Sequence, residues 1–176
     1  MFEIIPNWHP VFVHFTVALF SISTLFYLLS HLVANTELKS QWQMVARWNL
    51  WMGALITVLT VAAGWQAYNT VDHDTVSHAA MTDHRNWAMG SFIFFSLLAL
   101  WSVTLHRAGK AGSWVFIGLL IIATGILTST AWRGGEVVFR YGLGVMYLTK
   151  VEGEGHNHVH ADGSAHNVDA LYDKNT

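Results

Sequence analysis

The chain has 176 residues, of which 53% are hydrophobic and only 11% are charged. A soluble domain usually carries about twice that charged fraction, so the composition indicates a single membrane domain. The formal net charge of −2 excludes a strongly basic surface for binding nucleic acid. The absence of cysteine excludes disulfides, thiolate metal sites, covalently attached haem and iron–sulfur clusters held by this chain. The eleven histidines are therefore the main candidates for binding a metal ion or a cofactor.

Four apolar segments follow one another along the chain, and each is close to the ~20 residues that a helix needs to cross a bilayer. They cover residues 11–33, 48–68, 87–105 and 114–132. A glycine-rich stretch at 133–148 reads as an ordered cap, and residues 151–176 form a polar, His-rich tail that we expect to be disordered. The sequence thus predicts an all-α, four-helix membrane bundle in residues 1–150, followed by the tail.

Basic residues in the short loops favour one orientation in the membrane. The loops after the first and third segments carry Lys39, Arg47, Arg107 and Lys110, whereas residues 70–83 contain three aspartates and no base. The positive-inside rule therefore predicts that both termini lie on the periplasmic side of a bacterial cytoplasmic (inner) membrane.

The two halves of the chain resemble each other weakly. Each half opens with a histidine, crosses the membrane, turns through a basic loop and returns, ending in Ala-Gly-Trp at 63–65 or Thr-Ala-Trp at 130–132. We therefore expect two parallel hairpins related by an axis along the membrane normal. This alignment places His14 and His84 at similar depth on related helices.

Small residues repeat at helical spacing on the second and fourth segments. They are Gly53, Thr57, Thr60 and Gly64 on the second, and Gly118, Gly125 and Ser129 on the fourth. Such rows predict close helix packing in lipid, and they would also leave room for a flat macrocycle.

Two motifs carry a family resemblance. Residues 9–15 read His-Pro-Val-Phe-Val-His-Phe, and residues 134–145 read Gly-Gly-Glu-Val-Val-Phe-Arg-Tyr-Gly-Leu-Gly-Val. The chain resembles, over roughly residues 8–145, the bacterial membrane-protein family named domain of unknown function 2231, and His84 is similar to a histidine that opens the family's third helix. Thr16 replaces the family's usual proline, and Phe139 replaces a tyrosine. The resemblance implies a redox setting, since family members can look fused to Rieske-type or cytochrome-type domains.

Four histidines fall at the same predicted end of the bundle: His9, His14, His78 and His84. Two neutral imidazoles on facing helices, across an apolar slot, suit a haem b. We predict His14 and His84 as the axial pair, with His9 and His78 in reserve. The alternative is that these rings merely hydrogen-bond backbone carbonyls or water.

Charged residues at the same end could complete such a site. Arg85, Arg133 and Arg140 are the candidates for holding haem propionates. Glu136 is a candidate acceptor for an axial imidazole, although it could equally pair with Arg133 or Arg140.

A second haem near the other end would need His31 and His106. Their angular positions along the helices favour a structural role instead. Any second haem could use His9 and His78.

A second group of histidines suggests divalent metal binding. His73 and His78 lie among aspartates in the 70–83 loop, and the tail contains His156, His158 and His160. Nitrogen and carboxylate ligands suit zinc, copper or nickel, and His14 and His84 offer further nitrogen ligands for iron. The alternative is a solvated loop and tail.

These observations favour a haem b membrane cytochrome that passes electrons near the outer face, with a redox partner protein or a respiratory complex. The alternatives are a metal-handling membrane protein that uses the loop and tail histidines, or an accessory subunit of a respiratory complex. The sequence contains no nucleophile motif, phosphate-binding loop or paired carboxylates, so a redox carrier is favoured over a stand-alone enzyme. The middles of the last three segments lack acids and bases, which counts against a transporter.

Overall fold

The computed structural model describes residues 7–145, and most of them lie in four long helices. The helices are α1 (His9–Leu32), α2 (Thr36–Thr70), α3 (Thr75–Arg107) and α4 (Trp114–Phe139). Each contains a stretch long and apolar enough to cross a bilayer. The predicted all-α, four-helix membrane bundle is therefore confirmed. The tail predicted at 151–176, with its three alternating histidines, lies outside the described residues.

Two of the helices begin about three turns earlier than the apolar segments predict. Asn35 caps α2, because its side-chain oxygen accepts hydrogen bonds from the backbone N–H groups of Glu37 and Leu38, both at 3.0 Å. Asp74 caps α3 in a reciprocal capping box with Ser77. Hydropathy identifies only the apolar part of a helix, which lies in the hydrocarbon core. The polar first turns of these two helices were therefore not predicted.

The glycine-rich stretch predicted as a cap at 133–148 begins as helix, and its last residues, 146–148, lie outside the described part of the chain. α4 continues through Gly134 as far as Phe139, so the first half of this stretch is helix. Two glycines with positive φ, Gly142 at 66° and Gly144 at 77°, then turn the chain.

The bundle consists of two hairpins. α1 packs most closely against α2, and α3 against α4, while α1 and α3 face each other diagonally across the centre. Phe20 and Phe95 meet there as parallel rings 3.8 Å apart, and the Tyr27 hydroxyl lies 2.9 Å from that of Ser102. We call the end where α1 and α3 begin the terminal end, and the end with the α1–α2 and α3–α4 connections the hairpin end.

Apolar and polar side chains are distributed as in a membrane protein. Large apolar residues on all four helices are exposed, for example Leu25, Leu55, Leu97 and Ile122. The bundle interior combines apolar residues such as Phe20, Phe95 and Leu120 with small hydroxyl residues, namely Thr16, Ser23, Thr24, Ser30, Thr57, Thr60, Ser77, Ser91, Ser102 and Thr130. Close backbone approach and hydrogen bonds between helices supply the association energy that the hydrophobic effect does not provide in lipid.

Candidate functional site

His9 is the first residue of α1 and points into the bundle. Its Nδ1 lies 3.0 Å from the backbone oxygen of Thr60 on α2. Because a carbonyl oxygen only accepts, Nδ1 carries the proton and donates, which leaves Nε2 of the neutral ring with its lone pair. The ring rests against Gly64, where an added Cβ would come within 2.8 Å of the His9 Cε1 atom. Only glycine at this position lets the ring seat without a shift.

His84 repeats this arrangement in the second hairpin. It lies in the third turn of α3, and its Nδ1 is 3.1 Å from the backbone oxygen of Thr130 on α4. The same argument assigns the proton to Nδ1 and the lone pair to Nε2. The ring rests against Gly134, where a Cβ would come within 3.0 Å of its Cε1 atom. Gly134, the first glycine of the second motif, thus allows α4 to pack closely against the His84 imidazole.

The two imidazoles meet at the terminal end. The centroids of the His9 and His84 rings are 6.3 Å apart, and their planes are inclined at 76°. Both side chains are partly buried. Two ligand-capable rings from diagonal helices, each anchored through Nδ1, therefore share one small volume.

A layer of hydroxyl groups supports the rings. The Thr16 and Thr60 hydroxyls are 2.8 Å apart in the first hairpin, and the Ser91 and Thr130 hydroxyls are 2.9 Å apart in the second. The residues whose carbonyls hold the imidazoles are thus themselves fixed by bonds between helices.

The matching contacts define the register of the internal repeat. The equivalent positions of α1 and α3 are 75 residues apart, and those of α2 and α4 are 70 apart. The pairs are His9 and His84, Thr16 and Ser91, Phe20 and Phe95, Thr60 and Thr130, and Gly64 and Gly134. The predicted alignment of His14 with His84, and of 63–65 with 130–132, was wrong. The recurring His-x₆-Thr/Ser and Thr-x₃-Gly spacings were the signal that could have given the right register.

His14, the favoured partner of His84, lies elsewhere. It is exposed, and its Nδ1 hydrogen-bonds the backbone oxygen of Pro10 on its own helix. Five residues correspond to about 140° of rotation around a helix, so His14 points away when His9 points inward. The ring beside His84 belongs to His9, which was predicted only as a reserve ligand.

His73 and His78 form a separate, exposed group where α3 begins. His73 Nε2 lies 2.9 Å from His78 Nδ1, and the two rings stack with centroids 4.9 Å apart. The Tyr68 hydroxyl lies 3.3 Å from the second nitrogen of His78. Across residues 7–145, no group of three or more His, Cys, Asp or Glu side chains is placed to hold a metal ion. His156, His158 and His160 lie outside the described residues.

The arginines proposed for propionates already have protein partners. Arg133 donates to Asp83 at 2.7 Å, and its guanidinium lies 4.1 Å from the centre of the Trp87 ring. Arg85 lies over the ring of Tyr68, with its guanidinium carbon 4.8 Å from the ring centre.

Glu136 pairs with Arg140 at 3.3 Å, one turn further along α4. Of the two roles considered for Glu136, the structure contains the ion pair. The imidazole acceptors are instead the carbonyls of Thr60 and Thr130. Backbone acceptors carry no sequence signature, so sequence patterns could not identify them.

The fold defines the class of the protein as a multi-pass membrane protein. The family described as "Predicted membrane protein (DUF2231)" matches residues 6–147. Because the match covers most of the chain, the chain belongs to this family, as the two end motifs indicated. No curated protein and no solved structure matches the chain.

Proposed function

We propose that this chain is a b-type membrane cytochrome in which His9 and His84 are the axial ligands of one haem. The observation that carries the proposal is the pair of imidazoles, anchored alike through Nδ1 and facing each other across the bundle. Helical bundles hold haem between histidines on facing helices.

The donor set fits haem better than a bare metal ion. A structural zinc site takes four protein ligands and a catalytic one takes three. At the terminal end only the imidazoles of His9 and His84 come together inside the bundle, and no further histidine, cysteine or carboxylate among the described residues completes a group of three with them. Two imidazoles would be sufficient for haem, because the porphyrin would supply the remaining ligands of its iron.

The ring separation also fits. A metal bonded to one nitrogen of each ring at about 2 Å would hold the ring centres about 6 Å apart. The observed separation is 6.3 Å. The spacing is therefore suitable for coordination by both rings.

The surrounding residues have defined tasks in this proposal. The Nδ1–H bonds to the carbonyls of Thr60 and Thr130 fix the ring orientation and make Nε2 a better ligand. Arg85, which lies over Tyr68, would be a cation for the carboxylates of the macrocycle, and Arg133 would have to divide its guanidinium between such a carboxylate and Asp83. When bound, haem supplies one-electron transfer.

The proposal includes the orientation given by the basic loops. The terminal end would then face the periplasm of a bacterial inner membrane, where a redox partner protein or a respiratory complex exchanges electrons with the haem. The rival hypothesis of a metal-handling protein has weaker support, because the exposed group at the start of α3 contains only His73 and His78, and their facing nitrogens lie 2.9 Å apart, within hydrogen-bonding distance of each other.

An absorption spectrum of the detergent-purified protein, before and after reduction, tests the proposal. We expect a Soret band and sharp visible bands on reduction in the wild type. His9→Ala and His84→Ala should each abolish them, because one axial ligand is lost.

His14→Ala is the matched control, because that imidazole is exposed and lies on the same helix as His9. It should leave the spectrum unchanged. A protein that stays colourless after expression with added haem contradicts the proposal. A spectrum lost in His14→Ala but kept in His9→Ala contradicts the ligand assignment.

A further inference from the structure

A second polar group lies near the hairpin end, on one face of α2. Gln43, Arg47 and Trp51 follow at spacings of four residues, which places them one above the other on the helix surface. The exposed Trp48 adjoins them. None of these residues contributes to the histidine site.

Arg47 is a partly buried cation without a counter-ion in the described chain. Its guanidinium carbon lies 5.9 Å from the centre of the Trp51 ring. The ion pairs found within residues 7–145 are those of Arg133 with Asp83 and of Arg140 with Glu136. Partial burial of a guanidinium costs hydration free energy, and here no carboxylate compensates for that cost. An anion bound beside Arg47 would compensate for it.

Two buried hydrogen-bond donors beside Arg47 also lack partners. The Trp51 Nε1 and the Gln43 Nε2 atoms are both buried, and neither has an acceptor in the described chain. Native structures leave few such groups unpaired. An indole N–H and a guanidinium can only donate, so the missing partner is an acceptor.

A second helix borders the group. The His106 ring of α3 lies with its centroid 5.7 Å from that of Trp51. The group therefore lies at the seam where α2 packs beside α3.

The depth of the group in the membrane points to the source of the anion. α2 has 35 residues and is about 52 Å long at 1.5 Å per residue, well beyond the roughly 30 Å of a hydrocarbon core. Arg47 lies in the first half of α2, among Trp42, Trp48 and Trp51, and tryptophans concentrate at membrane interfaces. This is the level at which lipid phosphates lie.

We propose that Arg47, Trp51 and Gln43 form a binding site for a phosphate group, most directly that of an anionic phospholipid, at the seam between α2 and α3. The guanidinium supplies the charge, and the indole and amide N–H groups donate to the phosphate oxygens. The site is independent of the proposed haem, because it shares no residue with the histidine site.

Native mass spectrometry of the delipidated protein, titrated with phosphatidylglycerol or phosphatidylcholine, tests this site. We expect the wild type to bind phosphatidylglycerol more tightly. Arg47→Gln should weaken phosphatidylglycerol binding about tenfold or more, and Trp51→Phe, which keeps the aromatic ring but removes the N–H, several-fold. Binding of phosphatidylcholine should change little.

Arg107→Gln is the matched control, since Arg107 is an exposed arginine at the same end of the bundle. It should change the dissociation constant less than twofold. Equal losses in Arg47→Gln and Arg107→Gln would show a general charge effect and overturn the proposal. If Arg47→Gln does not fold, an unchanged affinity in Trp51→Phe overturns it.

Inorganic phosphate added to the lipid-bound protein distinguishes the two sources of the anion. No displacement at millimolar phosphate supports a lipid head group as the ligand. Displacement that depends on Arg47 supports the same site with a soluble phosphate compound as its ligand.

Discussion

The two ends of the bundle use the same residue in different ways. α1 carries His9 and His31, and α3 carries His84 and His106, and the members of each pair are 22 positions apart. At the terminal end the two rings face each other. At the hairpin end they are separated, because His31 reaches the α3–α4 connection and His106 lies against Trp51.

The difference lies in what each ring nitrogen contacts. His31 Nε2 lies 2.6 Å from the backbone oxygen of Gly112, and its Nδ1 lies 3.1 Å from that of Tyr27. Both nitrogens are therefore occupied by protein, which agrees with the structural role predicted for His31. His9 and His84 each use only Nδ1 in this way. An imidazole can serve as a ligand when one nitrogen is anchored and the other is available.

The largest loss of stability is expected when a methyl group is added beside the His9 or the His84 ring. Gly64→Ala and Gly134→Ala place a Cβ 2.8 Å and 3.0 Å from the Cε1 atoms of His9 and His84. Since Nδ1 holds each ring in place, we expect about 1–3 kcal/mol of destabilisation, with the larger loss at Gly64. The measurement is the free energy of unfolding by SDS titration in mixed micelles, with haem absorbance as a second readout.

Two glycines of α4 are matched controls, because a Cβ at Gly118 or Gly125 meets nothing within 4 Å. Alanine there should leave stability unchanged or raise it by up to about 1 kcal/mol through helix propensity. If Gly64→Ala proves as stable as Gly125→Ala, the close packing of His9 on α2 is refuted.

A smaller difference in unfolding free energy should distinguish His31 from His106, the two histidines of the hairpin end. His31→Ala removes a bond between α1 and the α3–α4 connection and leaves the carbonyl of buried Gly112 without that partner. We expect a loss of about 1–2 kcal/mol, measured as above. His106→Ala should change stability by less than about 0.5 kcal/mol, because the side chain is exposed. Equal losses would mean that the two rings have equivalent roles after all.

The smallest effect concerns the hydroxyl layer beneath the terminal rings. Thr16→Val removes the bond to Thr60, and Ser91→Ala removes the bond to Thr130. Hydrogen bonds between helices in membranes contribute about 0.6 kcal/mol on average, so each change should lower the unfolding free energy by roughly that amount.

Thr128→Val provides the comparison for these two variants, since the exposed Thr128 hydroxyl bonds only its own helix. Its stability should stay closest to the wild type. A Thr128 variant that loses as much as Thr16→Val would show that the effect does not come from bonds between helices.

Much of the architecture could be read from the chain. The four apolar segments gave the number of helices, and the motifs at 9–15 and 134–145 gave the family. The polar turns of α2 and α3 were missed, because helix outside lipid needs no apolar residues. The caps at Asn35 and Asp74 were local signals that could have located them.

The candidate site was predicted only in part. The sequence identified a group of histidines at one end and included both His9 and His84, but it paired His84 with His14. Helical geometry already separated His9 from His14 by about 140°, although it could not say which of them faces inward. That choice depends on the neighbouring helix, because only His9 finds both a carbonyl acceptor at Thr60 and a glycine at position 64.

The sequence by itself determined the elements that depend on each residue's own chemistry. Apolar length fixes what can cross a bilayer, and the lack of cysteine removes thiolate ligands and leaves the histidines as the main candidate ligands for a metal or haem iron. The tertiary structure alone decided which imidazoles meet, which of their nitrogens is anchored and which donors remain unpaired near Arg47. These properties depend on backbone carbonyls and on distances between helices, and neither is encoded in the identity of any single residue.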